Sequence, residues 1–299
     1  MKAPLKRVVS RLAAVSMLSA AAIGIFGGQS AVAGIADTKH NLGSQQTKTG
    51  FNKFDGSGEI CVFCHTPHAA DIAAQAPLWN RVATASPTYA TYSSLGTLSL
   101  DGGSLAIGST SAACLSCHDG TQAMNTVYNA PGSGLTAAAD STWKTGGWSG
   151  DNVGADGKMT GLAAVAKDTE GLKNDHPVSI QYAGGPKVAA NIPAAPGDYT
   201  KTNFNDADFK TAKSTAMNGK QVWWVEADTD GVRTKKDLPL YTRSGTLTFA
   251  DTTKSGTVDA AAPQPFVECA SCHDPHSSNA TFLRVPNTNS AVCLACHDK

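Results

Sequence analysis

Apolar and polar residues follow three different patterns along this chain of 299 residues. One continuous apolar run covers residues 12–26 near the N-terminus. Alternating segments at 178–182, 221–226 and 238–249 predict short strands, and the turn residues at 228–231 connect the last two into a hairpin. Most of the remaining chain is rich in Gly, Ala, Thr and Pro, which predicts loops. The pattern indicates a mostly irregular fold with a few β-hairpins in the central region.

The N-terminal apolar run has the features of a secretory signal. Four basic residues precede the run. Ala31-Val-Ala33, after the run, matches the small-residue pattern of a cleavage site. A run of about 15 residues falls short of the roughly 20 that span a bilayer. We therefore predict that residues 1–33 are a signal peptide, with a membrane anchor as the alternative. No later stretch is apolar enough for a transmembrane segment.

Charge argues against a nucleic-acid partner. The chain contains 24 basic and 24 acidic residues. Residues 1–33 contain four basic and no acidic residues. Their loss leaves the mature chain with a net negative charge. A protein without a basic field lacks the attraction that nucleic-acid binding requires.

The cysteines carry most of the chemical information. All eight lie in C-x-x-C pairs, and each pair is followed directly by histidine. We call these segments motif 1 (61–65), motif 2 (114–118), motif 3 (269–273) and motif 4 (293–297). The spacing is typical of c-type haem attachment, in which two thiols bond the haem and the imidazole binds its iron. The predicted attachment residues are Cys61, Cys64, Cys114, Cys117, Cys269, Cys272, Cys293 and Cys296, and the proximal ligands are His65, His118, His273 and His297.

Three other readings of the cysteine pairs are less consistent with the pattern. A zinc ribbon needs four ligands and gains nothing from a histidine after each pair. A thioredoxin-like site needs one C-x-x-C on a βαβ unit. Disulfides would not use the short C-x-x-C loop four times. We therefore predict four covalently attached haem c groups, each with its iron.

The remaining histidines match the remaining iron positions. Four are left for four irons, so bis-histidine ligation would use every histidine of the chain. A methionine at one iron is the alternative, from among Met124, Met159 and Met217. The predicted distal ligands are His40, His68, His176 and His276.

Reach and repetition suggest which iron each distal histidine binds. His68 follows His65 by three residues, and three extended residues span at most roughly 10 Å, too little to reach the opposite face of the same haem. The same holds for His276 after His273. Residues 61–68 resemble 269–276, and residues 111–119 match 290–298 at seven of nine positions. This symmetry assigns His68 to motif 2, His276 to motif 4, His40 to motif 1 and His176 to motif 3, with donation of His40 to a neighbouring chain as the alternative.

The same repeat predicts the organisation of the chain. Residues 34–130 form a first dihaem unit and residues 266–299 a second. Between them, residues 131–265 form a linker region rich in Gly, Ala and Thr that contains small β-hairpins and His176. Short helices are expected at the haem motifs.

Several segments together resemble a known family. Residues 38–42 (TKHNL), 61–68 (CVFCHTPH), 174–178 (NDHPV) and the doubled CHDPH/CLACHD ending are similar to exported multihaem c-type cytochromes with a doubled C-x-x-C-H motif. Within these, the chain resembles OmcE-type outer-surface tetrahaem cytochromes of metal-reducing bacteria. The resemblance implies bis-histidine haems in a closely spaced line, little regular structure and assembly into filaments.

These observations predict an electron-transfer protein without bond-making catalysis, because irons with two imidazole ligands have no open position for a substrate. The expected partners are other redox proteins or extracellular electron acceptors, with the chain itself as a further partner in a homopolymer. The expected location is the cell surface or extracellular space, with the periplasm as the alternative. The alternative functions are a soluble periplasmic multihaem carrier and a multihaem reductase with one open haem.

Overall fold

Short helices and strands alternate with long irregular segments. A computed structural model describes residues 34–81, 89–131, 143, 145–166, 170–251, 253 and 260–298. The predicted signal peptide therefore lies outside the described residues. The boundaries predicted for the two dihaem units and the linker stay predictions.

Helices occur at the cysteine motifs. Helix α1 (Ser109–His118) contains motif 2, α2 (Cys269–Cys272) lies in motif 3, and α3 (Ala291–Cys296) contains most of motif 4. Motif 1 begins with a single 3₁₀ turn, Cys61–Phe63. Further 3₁₀ turns are Gly34–Asp37, Tyr92–Leu95, Gly161–Ala163, Tyr182–Gly184, Ala189–Asn191, Ala280–Phe282 and Thr288–Ser290. A mostly irregular fold with short helices at the motifs is thereby confirmed.

The strands form two antiparallel sheets. The small sheet pairs β1 (Lys53–Phe54) with β2 (Trp148–Ser149). The larger sheet has five strands in the order β3-β7-β6-β5-β4. Its strands are β3 (Ile180–Gln181), β4 (Ala212–Met217), β5 (Lys220–Val225), β6 (Leu238–Gly245) and β7 (Ala260–Val267). Strand β7 leads directly into α2, so the sheet fixes where motif 3 begins.

Three of these strands coincide with segments predicted from the alternation of residues, namely β3, β5 and β6. Strands β4 and β7 were not predicted. Strand β7 contains Pro263 and Pro265, and proline cannot donate a ladder hydrogen bond, so the sequence argues against a strand inside a sheet. Strand β7 is nevertheless paired on both sides. The two-residue strand β3 pairs with it only at Val267 and Phe266, so neither proline has to donate a hydrogen bond to β3.

Two hydrophobic cores underlie the motifs. The first core contains Phe54, Phe63, Met124 and Trp143 among its buried residues, and Cys64 and Cys117 pack against it. The second core is formed largely by the five-stranded sheet and the segment after β3, and Cys272 and Cys296 pack against it. Motifs 1 and 2 therefore share one core, and motifs 3 and 4 share the other. In the part of the chain that is described, no helix has the length and apolar character to cross a bilayer.

Candidate haem-binding site

Each cysteine motif is wound into a helical turn. The backbone N–H of His65 donates to the carbonyl of Cys61 at 2.8 Å, and His273 and His297 donate in the same way to Cys269 and Cys293. Motif 2 lies within α1. Residues three and four apart share one face of a helix, so the two thiols and the histidine of a motif point to the same side. All eight cysteines are free thiols in the structure, which is the state that haem attachment requires.

Hydrogen bonds orient the proximal imidazoles. The Nδ1 atoms of His65, His118 and His273 lie 2.8, 2.7 and 2.8 Å from backbone carbonyl oxygens. A carbonyl oxygen only accepts hydrogen bonds, so each Nδ1 carries the proton and Nε2 keeps its lone pair. Ligands of protein metals are typically held in this way. His40 and His176 show the same arrangement, with Nδ1 at 3.3 Å from the Pro275 carbonyl and at 3.1 Å from the Pro177 carbonyl.

Two pairs of histidine rings lie close together, one pair edge-on with an interplanar angle of 67° and the other nearly parallel at 11°. The ring centres of His118 and His40 are 6.2 Å apart, and those of His65 and His276 are 6.1 Å apart. A metal bound to nitrogens about 2.0 Å away on opposite sides holds the two ring centres about 6 Å apart. Both pairs therefore fit an iron with an imidazole on each face, and each pair includes the histidine of a C-x-x-C-H motif.

These pairs differ from three assignments made from repeat symmetry, since the place assigned to His68, opposite His118 of motif 2, is taken by His40. His276 was assigned to motif 4, but its ring faces that of His65 in motif 1. His40 was assigned to motif 1, but its ring faces that of His118 in motif 2. The symmetry argument placed the second ligand of each C-x-x-C-H-x-P-H segment within its own unit. In the structure the segment after motif 3 instead packs against the first unit, where the Pro275 carbonyl also contacts His40.

The other four histidines have the following surroundings. His273 is held by the Thr281 carbonyl, and His297 packs on the ring of Phe209 with ring centres 4.3 Å apart. His68 and His176 are exposed. Ser179, three residues after His176, donates to the carboxylate of Glu268 beside motif 3.

The thiols of successive motifs lie close together. Burial, together with the neighbouring thiol of Cys117, raises the pKa of Cys64 to about 12. Cys114 is hydrogen-bonded to Cys269. Burial likewise raises the pKa of Cys296 to about 12, with Cys272 adding to the shift. The motifs are therefore neighbours in the order 1, 2, 3 and 4.

Electrostatics favour the form of histidine that binds a metal. Burial, together with the proximity of His118, lowers the pKa of His40 to about 4. Burial also lowers the pKa of His118, against the effect of its hydrogen bond to the Ala163 carbonyl. Both rings are neutral at pH 7, and only a neutral imidazole has the lone pair that a metal needs.

The end of the chain matches a known family. Residues 264–299 match the family described as doubled CXXCH motif. The match covers motifs 3 and 4 and indicates covalently bound haem c. Together with the two further motifs, it supports a multihaem c-type cytochrome-like protein. No curated protein matches the chain.

Sequence reasoning missed a buried polar link between motifs 1 and 2. Asn80 and Arg81 are fully buried. The Asn80 backbone N–H donates to Cys64, and its side chain donates to Val62 at 2.7 Å, both in motif 1. The Arg81 guanidinium donates to the carbonyl of Ser116 in motif 2 at 2.7 Å. Neither residue forms a motif with cysteine or histidine, so the sequence alone contained no sign of this link.

A second link that the sequence did not reveal joins motifs 2 and 3. The buried carboxylate of Glu268 accepts from Arg243 at 2.8 Å, from Ser111 in α1 at 2.5 Å and from Ser179 at 3.0 Å. The Ser111 hydroxyl also accepts from the backbone N–H of Cys269 at 3.0 Å. Burial raises the pKa of Glu268, and Arg243 opposes that shift. This link holds the start of α2 against α1.

Proposed function

We propose that this chain is an exported tetrahaem c-type cytochrome that carries electrons along four closely spaced haems. The eight cysteines attach the haems. His65, His118, His273 and His297 are the proximal ligands, and His40, His68, His176 and His276 are the distal ligands.

One observation carries the proposal. Two pairs of histidine rings stand 6.1 and 6.2 Å apart, and each pair contains the histidine that directly follows a C-x-x-C pair. A zinc site would require four ligands around one point. Among the described residues, no group of three or more His, Cys, Asp or Glu side chains is placed to hold a metal ion. Two opposed imidazoles are instead what a haem iron binds.

When bound, haem iron supplies a one-electron couple whose potential depends on its ligands and its surroundings. Carbonyl oxygens lie within hydrogen-bond distance of Nδ1 in three of the four rings of the two pairs, those of His65, His118 and His40. The chain also keeps successive motifs adjacent, through the contacts of Cys64 with Cys117 and of Cys114 with Cys269. Such an arrangement suits passage of electrons between partners at its two ends.

The proposal assigns no bond-making catalysis to the chain. With a histidine on each face of every iron, no position is left for a substrate. A multihaem reductase would need one iron with an open position, so one of the eight histidines would not bind iron. His40 and His276, the two for which a facing ring is seen, both oppose a motif histidine.

Location and assembly are also proposals. Export rests on the predicted signal peptide, and transfer of electrons to acceptors outside the cell rests on the resemblance to outer-surface cytochromes. Filament formation rests on that resemblance alone. The position of His40 opposite His118 of the same chain supports ligation within one chain at motif 2. Negative-stain images of the secreted protein distinguish filaments from single particles.

The cofactor is tested on the purified mature protein by intact mass and by metal analysis. The mass should exceed that of the polypeptide from residue 34 onward by four haem groups, and iron should be present at four per chain. Peroxidase staining should persist on a denaturing gel because the attachment is covalent. Zinc in place of iron, with no haem stain, would overturn the proposal.

A further inference from the structure

A buried positive charge lies between motifs 1 and 2. Arg81 has no exposed surface and is the only buried basic side chain among the described residues. Its guanidinium donates to the hydroxyl and carbonyl of Ser116 at 3.2 and 2.7 Å, and to the carbonyls of Met124 and Ala123 at 2.7 and 3.1 Å. These acceptors satisfy the hydrogen bonds but leave the charge uncompensated.

No described carboxylate neutralises this charge through an ion pair. The buried carboxylate closest to motif 2 along the chain is that of Asp119, which accepts instead from the Tyr89 hydroxyl at 3.0 Å and from Thr121 at 2.8 Å. The guanidinium of arginine carries a delocalised positive charge. Arg81 also adjoins motif 1, because the preceding residue, Asn80, donates its backbone N–H to Cys64 at 2.9 Å. Motifs 1 and 2 thus share one fixed cation.

The corresponding position of the second unit is apolar. After motif 1, Asn80 donates its backbone N–H to Cys64 at 2.9 Å, and after motif 3 Arg284 donates to Cys272 at 2.8 Å. The residues just before them bridge to His65 and His273 in the same way. This register aligns Arg81 with Val285. The match of residues 111–119 with 290–298 aligns Ser116 with Ala295, and Val285 and Ala295 both belong to the second core.

The basic groups near motif 3 differ from Arg81 because they have acidic partners. Arg284 lies 3.8 Å from the Asp274 carboxylate, and its side chain is 15% exposed. Arg243 is paired with Glu268 at 2.8 Å. Among the described residues, the units therefore differ in that the first has a buried cation without an acidic partner and the second has paired charges.

We propose that Arg81 sets the reduction potentials of the haems on motifs 1 and 2 above those of the haems on motifs 3 and 4. This rests on the proposed function. Oxidation adds one positive charge to an iron, and a nearby fixed cation in a medium of low polarity disfavours that charge. Loss of the Arg81 charge should change the reduction equilibrium of the nearest haem about tenfold, or about 59 mV for one electron. Electrons that enter the protein would therefore collect on the first unit.

The test compares haem-loaded variants by potentiometric titration monitored spectroscopically. Arg81→Gln removes the charge but keeps amide donors, and Arg81→Lys keeps the charge. Arg81→Gln should lower the potentials of two of the four haems, the larger shift being about 59 mV. Arg81→Lys should retain most of the wild-type values. Equal shifts in both variants would show that packing rather than charge is responsible and would overturn the proposal.

A second pair of variants tests the charge with Arg81 in place. Ser116→Asp puts a carboxylate beside the guanidinium, because the Ser116 hydroxyl lies 3.2 Å from Nε. Ser116→Asn has nearly the same shape without the charge. The haem potentials should be lower in the aspartate variant than in the asparagine variant. The difference should correspond to about a tenfold change in the reduction equilibrium. Equal potentials in the two would contradict the proposal. Intact mass shows whether each variant carries all four haems. A missing haem would count against the proposed function. An unchanged potential in a fully loaded variant would count only against the role of Arg81.

Discussion

Motifs 1 and 2 have a backbone arrangement like that of motifs 3 and 4, but the residues packed around the two pairs of motifs differ. Motifs 1 and 3 are both followed by a segment that returns to bond the second cysteine of the motif, through Asn80 in one case and Arg284 in the other. Motifs 1 and 2 then share an aromatic-rich core and a buried arginine, whereas motifs 3 and 4 share a core formed by the five-stranded sheet. The difference shows that a repeat can preserve the geometry of attachment while the charge around it changes.

The two units also differ in how they use their second histidine. The segment after motif 3 places His276 opposite His65 of the first unit. Under the proposed ligation, the first unit therefore takes one iron ligand from the second.

The largest expected effect comes from removing that shared ligand. His276→Ala should leave one iron with an open position, because no other imidazole is seen facing His65. The reduced variant should bind one equivalent of carbon monoxide per chain, measured by its absorbance change.

The location of the open iron can be checked by combining variants. Cys61→Ser with Cys64→Ser removes the haem of motif 1, so adding both changes to His276→Ala should abolish the carbon monoxide binding. If the triple variant still binds carbon monoxide, the open iron is not that of motif 1. The haem of motif 4, to which repeat symmetry assigned His276, would then be examined next.

His40→Ala should open the iron at motif 2 in the same way. Because His40 faces His118 of its own chain, the assembly state should remain that of the wild-type protein in sedimentation velocity. Filaments that fall apart into particles in this variant would instead indicate that His40 is donated to a neighbouring chain.

The link between the units should contribute strongly to stability. Glu268→Gln leaves Arg243 without its carboxylate partner, and breaking a buried pair in this way costs about 3 to 5 kcal/mol. The matched control is Lys201→Ala, which breaks the exposed pair with Asp298 and should cost about 1 kcal/mol or less. Urea unfolding of the haem-loaded proteins measures both. Similar costs for the two would show that Glu268 is not essential to the contact between motifs 2 and 3.

The smallest effect compares the counterparts Asn80 and Arg284. The buried Asn80 amide donates to Val62 and Asn129 at 2.7 and 2.8 Å, so Asn80→Ala should cost about 2 kcal/mol through unsatisfied carbonyls. Arg284→Ala should cost about 1 kcal/mol, because the Arg284 side chain is partly exposed and makes one good bond, to Ala270 at 3.0 Å. Urea unfolding again measures both costs. The reverse order would contradict the view that the first unit depends more on buried polar bonds.

Local patterns in the sequence predicted much of the candidate site. Cysteine and histidine spacing is local, so it indicated the four motifs, and alternation indicated β3, β5 and β6. The partners of His40 and His276 depend on how the two units pack, which repeat symmetry cannot show. Arg81 lies 35 positions before Ser116, its partner in motif 2, and a single arginine carries no local pattern.

Carbon monoxide binding by the reduced wild-type protein tests the central claim most directly, namely that two histidines hold every haem iron. With eight histidines on four irons, the account predicts no appreciable uptake by the folded protein and a low-spin spectrum for all four haems. Uptake of one equivalent per chain without denaturation would contradict it, and would show an open iron suited to a reductase.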